Sequence, residues 1–179
     1  MHPLEPSRRS GRRSALALWG ASLILAATQE AAAGSASTAL LVSAVVDSTC
    51  AVSANPLTFP TYYPGNGGVN ANTTLSVRCS RGAQFTVTMD AGTGGGTLVQ
   101  RLMSSGAAKL QYNLYTSAAR TTVWGDGTVT SAVMAGIGKG LAGNEAITET
   151  VFGTLPDSPA NRQLAPGLYT DTVMITVAY

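Results

Sequence analysis

One histidine, two cysteines and nine carboxylates are the side chains with which this 179-residue chain could do covalent or acid–base chemistry. Nucleophilic catalysis needs a base, most often an imidazole, within hydrogen-bond reach of a serine or cysteine. The histidine is His2, inside a leader-like segment, so a processed chain has none, and zinc sites of the usual kind are lost with it. Paired carboxylates are the chemistry of glycoside hydrolysis, but Asp126, Glu145, Glu149, Asp157 and Asp171 are scattered through polar stretches and read as solvated groups. The run GKGLAG, Gly138 to Gly143, matches the spacing of a dinucleotide-binding turn, yet no helix pattern follows it, as that turn requires. A phosphate loop fails too, because Gly140 rather than Ser or Thr follows Lys139. The expectation is a chain with no catalytic residues, no metal and no cofactor.

The leader explains why those groups drop out. Arg8, Arg9, Arg12 and Arg13 precede the apolar run ALALWGASLILAA, which is too short to span a bilayer as a helix. Small residues follow, with cleavage expected near Ala33 or Ala36. Residues 1–36 therefore read as an export signal, not a stable membrane anchor. Eleven Lys/Arg and nine Asp/Glu in the whole chain become seven of each from Ser37 onward. A net charge near zero supports no basic patch for nucleic acid or an anionic membrane. Roughly 143 residues remain, enough for one domain with a real core. Cys50 and Cys79 stay in the exported part, where pairing is the default for two thiols. Such a bridge would stabilise the fold by about 3.5 kcal/mol on the chain-entropy argument. The alternative is a catalytic or metal-bound thiol, with no histidine left to activate or accompany it.

The elements that must position these residues look like strands. No stretch after the leader carries a 3.6-residue apolar stripe. Strand-like runs recur at 38–46, 73–79, 84–89, 109–115, 148–155 and 168–179, separated by Gly-, Asn- and Pro-rich segments at 64–72, 92–96 and 136–143. Many short strands joined by turn chemistry predict an antiparallel sandwich. The last run alternates, with Tyr169, Val173, Ile175, Val177 and Tyr179 on one face and Thr170, Thr172 and Thr176 on the other, the pattern of a strand with one buried side. Tyr62, Tyr63 and Trp124 stand in turn-rich segments, where aromatics either stack on a ligand as a surface site or cover the end of a sandwich.

Taken in order, several stretches resemble a spore coat protein U domain, the fold unit of archaic, Csu-type chaperone–usher pilins. An apolar segment precedes Cys50, Phe59 and Tyr62 follow it, and Val77-Arg78-Cys79 supplies its partner. Arg101-Leu102-Met103, Leu110-Gln111-Tyr112-Asn113-Leu114-Tyr115 and Trp124-Gly125-Asp126-Gly127 come next. Phe152-Gly153, Pro156 and Gly167-Leu168-Tyr169-Thr170-Asp171-Thr172-Val173 complete the set. Pro60 is a departure, since the family usually carries Gly there. The resemblance implies an all-β fold, an incomplete immunoglobulin-like β-sandwich lacking its last strand. It also implies export to the periplasm, then the cell surface, with three kinds of partner: a periplasmic chaperone, an outer-membrane usher and like pilin subunits joined head to tail.

On that resemblance the edge of 168–179, with Val173, Ile175, Val177 and Tyr179, borders an open groove that a strand from another subunit fills. Residues 37–49 would be the extension that supplies it and 50–179 the domain. Leu40, Val42, Ala44 and Val46 form one wholly apolar face of the uncharged run TALLVSAVV, and are assigned as the donor face. The same run could instead be the first strand of its own domain. The leading reading is a structural pilin subunit, of the shaft or a minor one. A coat or matrix protein without fibres, and a glycan-binding module using Tyr62, Tyr63 and Trp124, are the alternatives.

Overall fold

The computed structural model describes residues 33–128 and 130–179. The export signal expected at 1–36 thus lies almost entirely outside the described residues. Residues 33–43 and Ala44–Tyr179 belong to separate units. In the first, every residue is exposed and none is in a strand or helix.

Among the described residues the second unit contains eight strands: β1 Cys50–Ala54, β2 Val69–Cys79, β3 Gln84–Met89, β4 Arg101–Ser105, β5 Ala108–Tyr115, β6 Met134–Ile137, β7 Ile147–Leu155 and β8 Ile175–Ala178. They form a five-stranded sheet in the order β1-β2-β7-β5-β4 and a three-stranded sheet in the order β6-β3-β8. Every ladder between these strands is antiparallel. Among the described residues there is no α-helix, only the 3₁₀ turns Gly143–Glu145 and Asn161–Gln163. The all-β expectation therefore holds. Period-2 alternation places Leu75, Val77 and Cys79 of β2, Phe85, Val87 and Met89 of β3, Tyr112 and Leu114 of β5, and Val151 of β7 in one core.

Cys50 and Cys79 form the expected disulfide. They sit directly opposite one another across β1 and β2, and the neighbouring pair exchanges the ladder bond, Ser80 N–H donating to Thr49 O at 2.9 Å. The cysteines thus occupy a non-hydrogen-bonded pair, the closer of the two antiparallel spacings.

Two expectations need correction. Residues 38–46 form no strand: they carry no ladder bond, and Leu40, Val42 and Val46 are more than 80% exposed. A period-2 apolar pattern becomes a strand only when a partner edge is present. Of 168–179 only Ile175–Ala178 is strand, because residues 90–97 leave β3 as a loop and take its edge away. Of the two readings open for Trp124, a surface ligand site or a structural aromatic, the structural one holds. The residue is 1% exposed, and its indole N–H donates to Val87 O at 3.1 Å, as a buried indole requires.

Beside Trp124 lies a fully buried Arg101 whose guanidinium has no carboxylate against it. Its Nε donates to Asp90 O at 2.8 Å, Nη1 to Asn113 Oδ1 at 2.6 Å and Nη2 to Trp124 O at 2.8 Å. Burial lowers its pKa, but a guanidinium stays charged in proteins, so these oxygens solvate it in place of water. They also tie β4 to the end of β3. Arg101→Met should leave those buried neutral acceptors unpaired and destabilise the domain, at about 1–3 kcal/mol for each group left unsatisfied. Denaturant midpoints measure this, and a loss no larger than that of an exposed substitution would contradict it.

Candidate functional site

The two sheets do not close on each other. Between them a groove of about 960 Å³ opens to solvent, floored by Met89, Met103, Leu110, Tyr112, Leu114 and Val151. Alternation along β3, β4, β5 and β7 makes that floor apolar. One wall is residues 54–64, where the chain runs on from β1; the other is residues 164–173, leading into β8.

The first wall leaves β2 at Pro56. Its last ladder bond is Asn55 N–H to Thr74 O, 3.0 Å. Beyond it side chains hold the wall. Leu57 and Phe59 rest on Gly153, where a Cβ would lie 2.9 Å from the Phe59 ring, and Phe59 meets Tyr112 edge to face at 6.2 Å. Tyr62 donates its hydroxyl to Asp157, whose carboxylate also accepts the N–H of Gly65 at 3.0 Å and of Gly67 at 3.2 Å and pairs with Arg162 at 2.9 Å. Asp157 is therefore an anchor, not the solvated loop carboxylate its sequence context suggests. The hydrogen bonds from Arg162 and Tyr62 hold it well below the usual carboxylate range.

The second wall depends on Asp171. Its Oδ1 accepts Thr93 N–H at 2.8 Å, Thr93 Oγ1–H at 3.0 Å and Gly94 N–H at 2.9 Å, and its Oδ2 accepts the Tyr112 hydroxyl from the floor at 2.6 Å. Asp171 was also expected to be merely solvated. Its odd number in the alternation was the available signal, since it puts a carboxylate on the apolar face of the run. Asp157 and the buried Asn161, which bonds both backbone groups of Gln111, carry no such mark.

The backbone of the second wall is bonded on one side only. Thr170 exchanges two bonds with Ser104, Thr172 O accepts Thr93 N–H, and Met174 O accepts Asp90 N–H. Thr176 and Ala178 then continue opposite Thr88 and Thr86 of β3. All are even-numbered. Successive residues of an extended chain turn their backbone groups to opposite edges, so Tyr169, Asp171, Val173 and Ile175, which all line the groove, present theirs to the groove side. No described strand pairs with that edge.

Of the residues assigned from the sequence, Val173 and Ile175 line the groove. Val177 packs on the core, and Tyr179 is 60% exposed beside Ile137 and Ala178, away from the groove. Tyr62 and Tyr63 line the first wall, but Trp124 is buried, so the three make no common binding face. Among the described residues no cluster of His, Cys, Asp or Glu could hold a metal.

Both walls should weaken at the extremes of pH. Burial first, then the Asp157 hydrogen bond, pushes Tyr62 up to about 12; burial and Asp171 push Tyr112 up as well. A raised tyrosine pKa gives stability that is complete below the unfolded value, about 10, and is lost as pH rises through the folded one. The depressed Asp157 has the opposite sign. Its contribution is present above the unfolded value, 3.8, and is lost as pH falls toward the folded one. Thermal midpoints should therefore fall above pH about 10 and below about 4. Tyr62→Phe should flatten the alkaline limb and Asp157→Asn the acid limb; limbs unchanged in these variants would refute the assignment.

Comparison with known proteins agrees with this architecture. No curated protein matches the chain in sequence. One solved structure that matches is titled a CsuC–CsuE chaperone–tip adhesion subunit pre-assembly complex from archaic chaperone–usher Csu pili of Acinetobacter baumannii; the match has a TM-score of 0.52 and 20% identity. It covers 75% of this chain but only 40% of the other, and at that identity it establishes likeness of fold alone. The family model described as Spore Coat Protein U domain matches residues 36–176, and with that match spanning the sandwich, both groove walls and the first half of β8, the chain belongs to the spore coat protein U family.

Proposed function

We propose that the protein is a non-catalytic structural subunit of a chaperone–usher fibre, whose groove is filled by the N-terminal segment of a second copy or of a related subunit. The carrying observation is the pairing of an apolar groove with an unbonded strand edge along one wall. An exposed, uncharged segment, 38–46, has the complementary pattern. In this reading 1–36 is the export signal, 37–49 the extension and 50–179 the domain. A periplasmic chaperone covers the groove first, an outer-membrane usher exchanges it for the neighbour's segment, and the fibre stands on the cell surface, where adhesion and biofilm formation are its expected roles.

The chemistry suits a strand better than a small molecule. Leu40, Val42 and Val46, at ~1.5–3 kcal/mol each on burial, would contribute roughly 5–9 kcal/mol before ordering costs, while their backbone completes the free edge. Every ladder in the domain is antiparallel, so the incoming strand is expected to run antiparallel to β8. Groove and extension are different segments of the chain, so the contact is heterologous and does not close on itself. A coat or matrix role without fibres is the second reading; it rests on the family's description alone.

Val42→Asp with Ala44→Asp should leave secretion and chaperone binding largely intact and abolish polymers, because two carboxylates would enter an apolar groove without partners. Ladders on gels run without boiling report the polymers. Persistence of the same ladders in the double variant would remove 38–46 as the donor.

A further inference from the structure

The free edge is useful to an incoming strand only if it is straight, and between Thr170 and Ile175 no β-ladder keeps it so. The β3–β8 register ends at Met89 opposite Ile175. One residue further, Asp90 N–H still reaches Met174 O at 3.1 Å. The reciprocal bond is missing, because Asp90 O is taken by Arg101 Nε at 2.8 Å. Met174 N–H donates instead to Asp90 Oδ1 at 2.9 Å. Beyond this point residues 91–94 turn away, and the Asp171 carboxylate gathers the N–H groups of Thr93, Gly94 and, at 2.8 Å, Thr172.

We infer that Asp90 and Asp171 are positioning residues for strand capture: their carboxylates stand in for the missing ladder acceptors and hold 169–174 in line with β8, so that one continuous edge faces the groove. This rests on the donor-strand reading above. The glycine run at 92–96 fits the same role. Gly92 has φ +80°, and a Cβ there would collide with the Asp171 carboxylate; a Cβ at Gly94 would collide with Leu102 O. The loop can approach the carboxylate this closely only without side chains at these positions. Both aspartates lie close enough to the buried Arg101 to favour its charge, but among the described residues neither forms a salt bridge with it, so their direct partners are backbone and hydroxyl donors whose directions fix the edge.

The test uses the full mature chain and follows polymer formation, thermal midpoint and residue-resolved amide exchange together. Asp171→Asn should speed exchange at Thr93 and Gly94 and slow assembly by about tenfold or more, the cost of ordering an edge no longer preorganised. Asp90→Asn should act in the same direction, with faster exchange at Met174. Gly92→Ala keeps both charges yet displaces the carboxylate, and should reproduce the Asp171→Asn defect. Trp124→Phe loses a core hydrogen bond away from the groove, and should lower the midpoint while assembling at the parental rate. Parental assembly rates in Asp171→Asn or Gly92→Ala, with the Thr93 and Gly94 amides released, would overturn this inference and leave the donor-strand reading standing. Equal slowing in Trp124→Phe would reduce the effect to general instability and overturn it as well. A parental chain that forms no polymer would overturn both.

Discussion

A row of backbone N–H and C=O groups facing an apolar groove is tolerable only while water reaches it, and that condition governs the rest of this domain. Once the groove is covered, each group at Tyr169, Asp171, Val173 and Ile175 needs a partner, because a buried unpaired backbone group is costly. An apolar ligand could cover Met89, Leu110 and Leu114 but would orphan the edge. A strand satisfies both at once. On the proposed reading this is why a strand, and not a small apolar ligand, fills the groove.

Keeping such a groove open takes work elsewhere, since an apolar cleft gains by collapsing. The chain supplies it with side-chain bonds in place of ladders. Asp157 gathers four donors at the end of one wall, Asp171 gathers donors from a loop and from the floor along the other, and Asn161 bonds the backbone of Gln111 on β5. Behind them the Cys50–Cys79 disulfide fixes β1 to β2, and the buried Arg101 joins β4 to the end of β3. Both walls are therefore rigid at their anchors without being strands. Such walls can accept a strand without first giving one up.

The low charge of residues 37–179 fits the same logic. A carboxylate or ammonium on 38–46 would have to be desolvated in the groove, and that run carries none. Its price is a set of bare apolar side chains, Leu40, Leu41, Val42, Val45 and Val46, and exposed apolar patches of this kind mark either an interaction site or an aggregation hazard. An edge strand beside an open groove carries the same hazard. On the proposed reading a chaperone resolves both problems, by covering the groove until a neighbour's strand replaces it.

What the sequence determined by itself follows from local periodicity and redox chemistry. The alternation Phe85, Val87, Met89 specifies β3 to the residue, the cysteine pair specifies the disulfide, and the alternation of Val173, Ile175 and Val177 specifies which face turns inward. The family motifs, in order, marked an incomplete sandwich. Other features depend on which segments meet. The strands at Cys50–Ala54, Arg101–Ser105 and Met134–Ile137 are too short and mixed to stand out, and exist because long neighbours offer them an edge. Residues 38–46 have a better strand pattern than any of these and form none, because a ladder needs two edges and the pattern describes only one. Trp124 in a glycine turn left a surface and a structural role open and is core, while Asp171 in a threonine run looks solvated in sequence and is a structural anchor. Burial and hydrogen-bond partners are properties of residues distant in the chain, so only the tertiary structure could decide them.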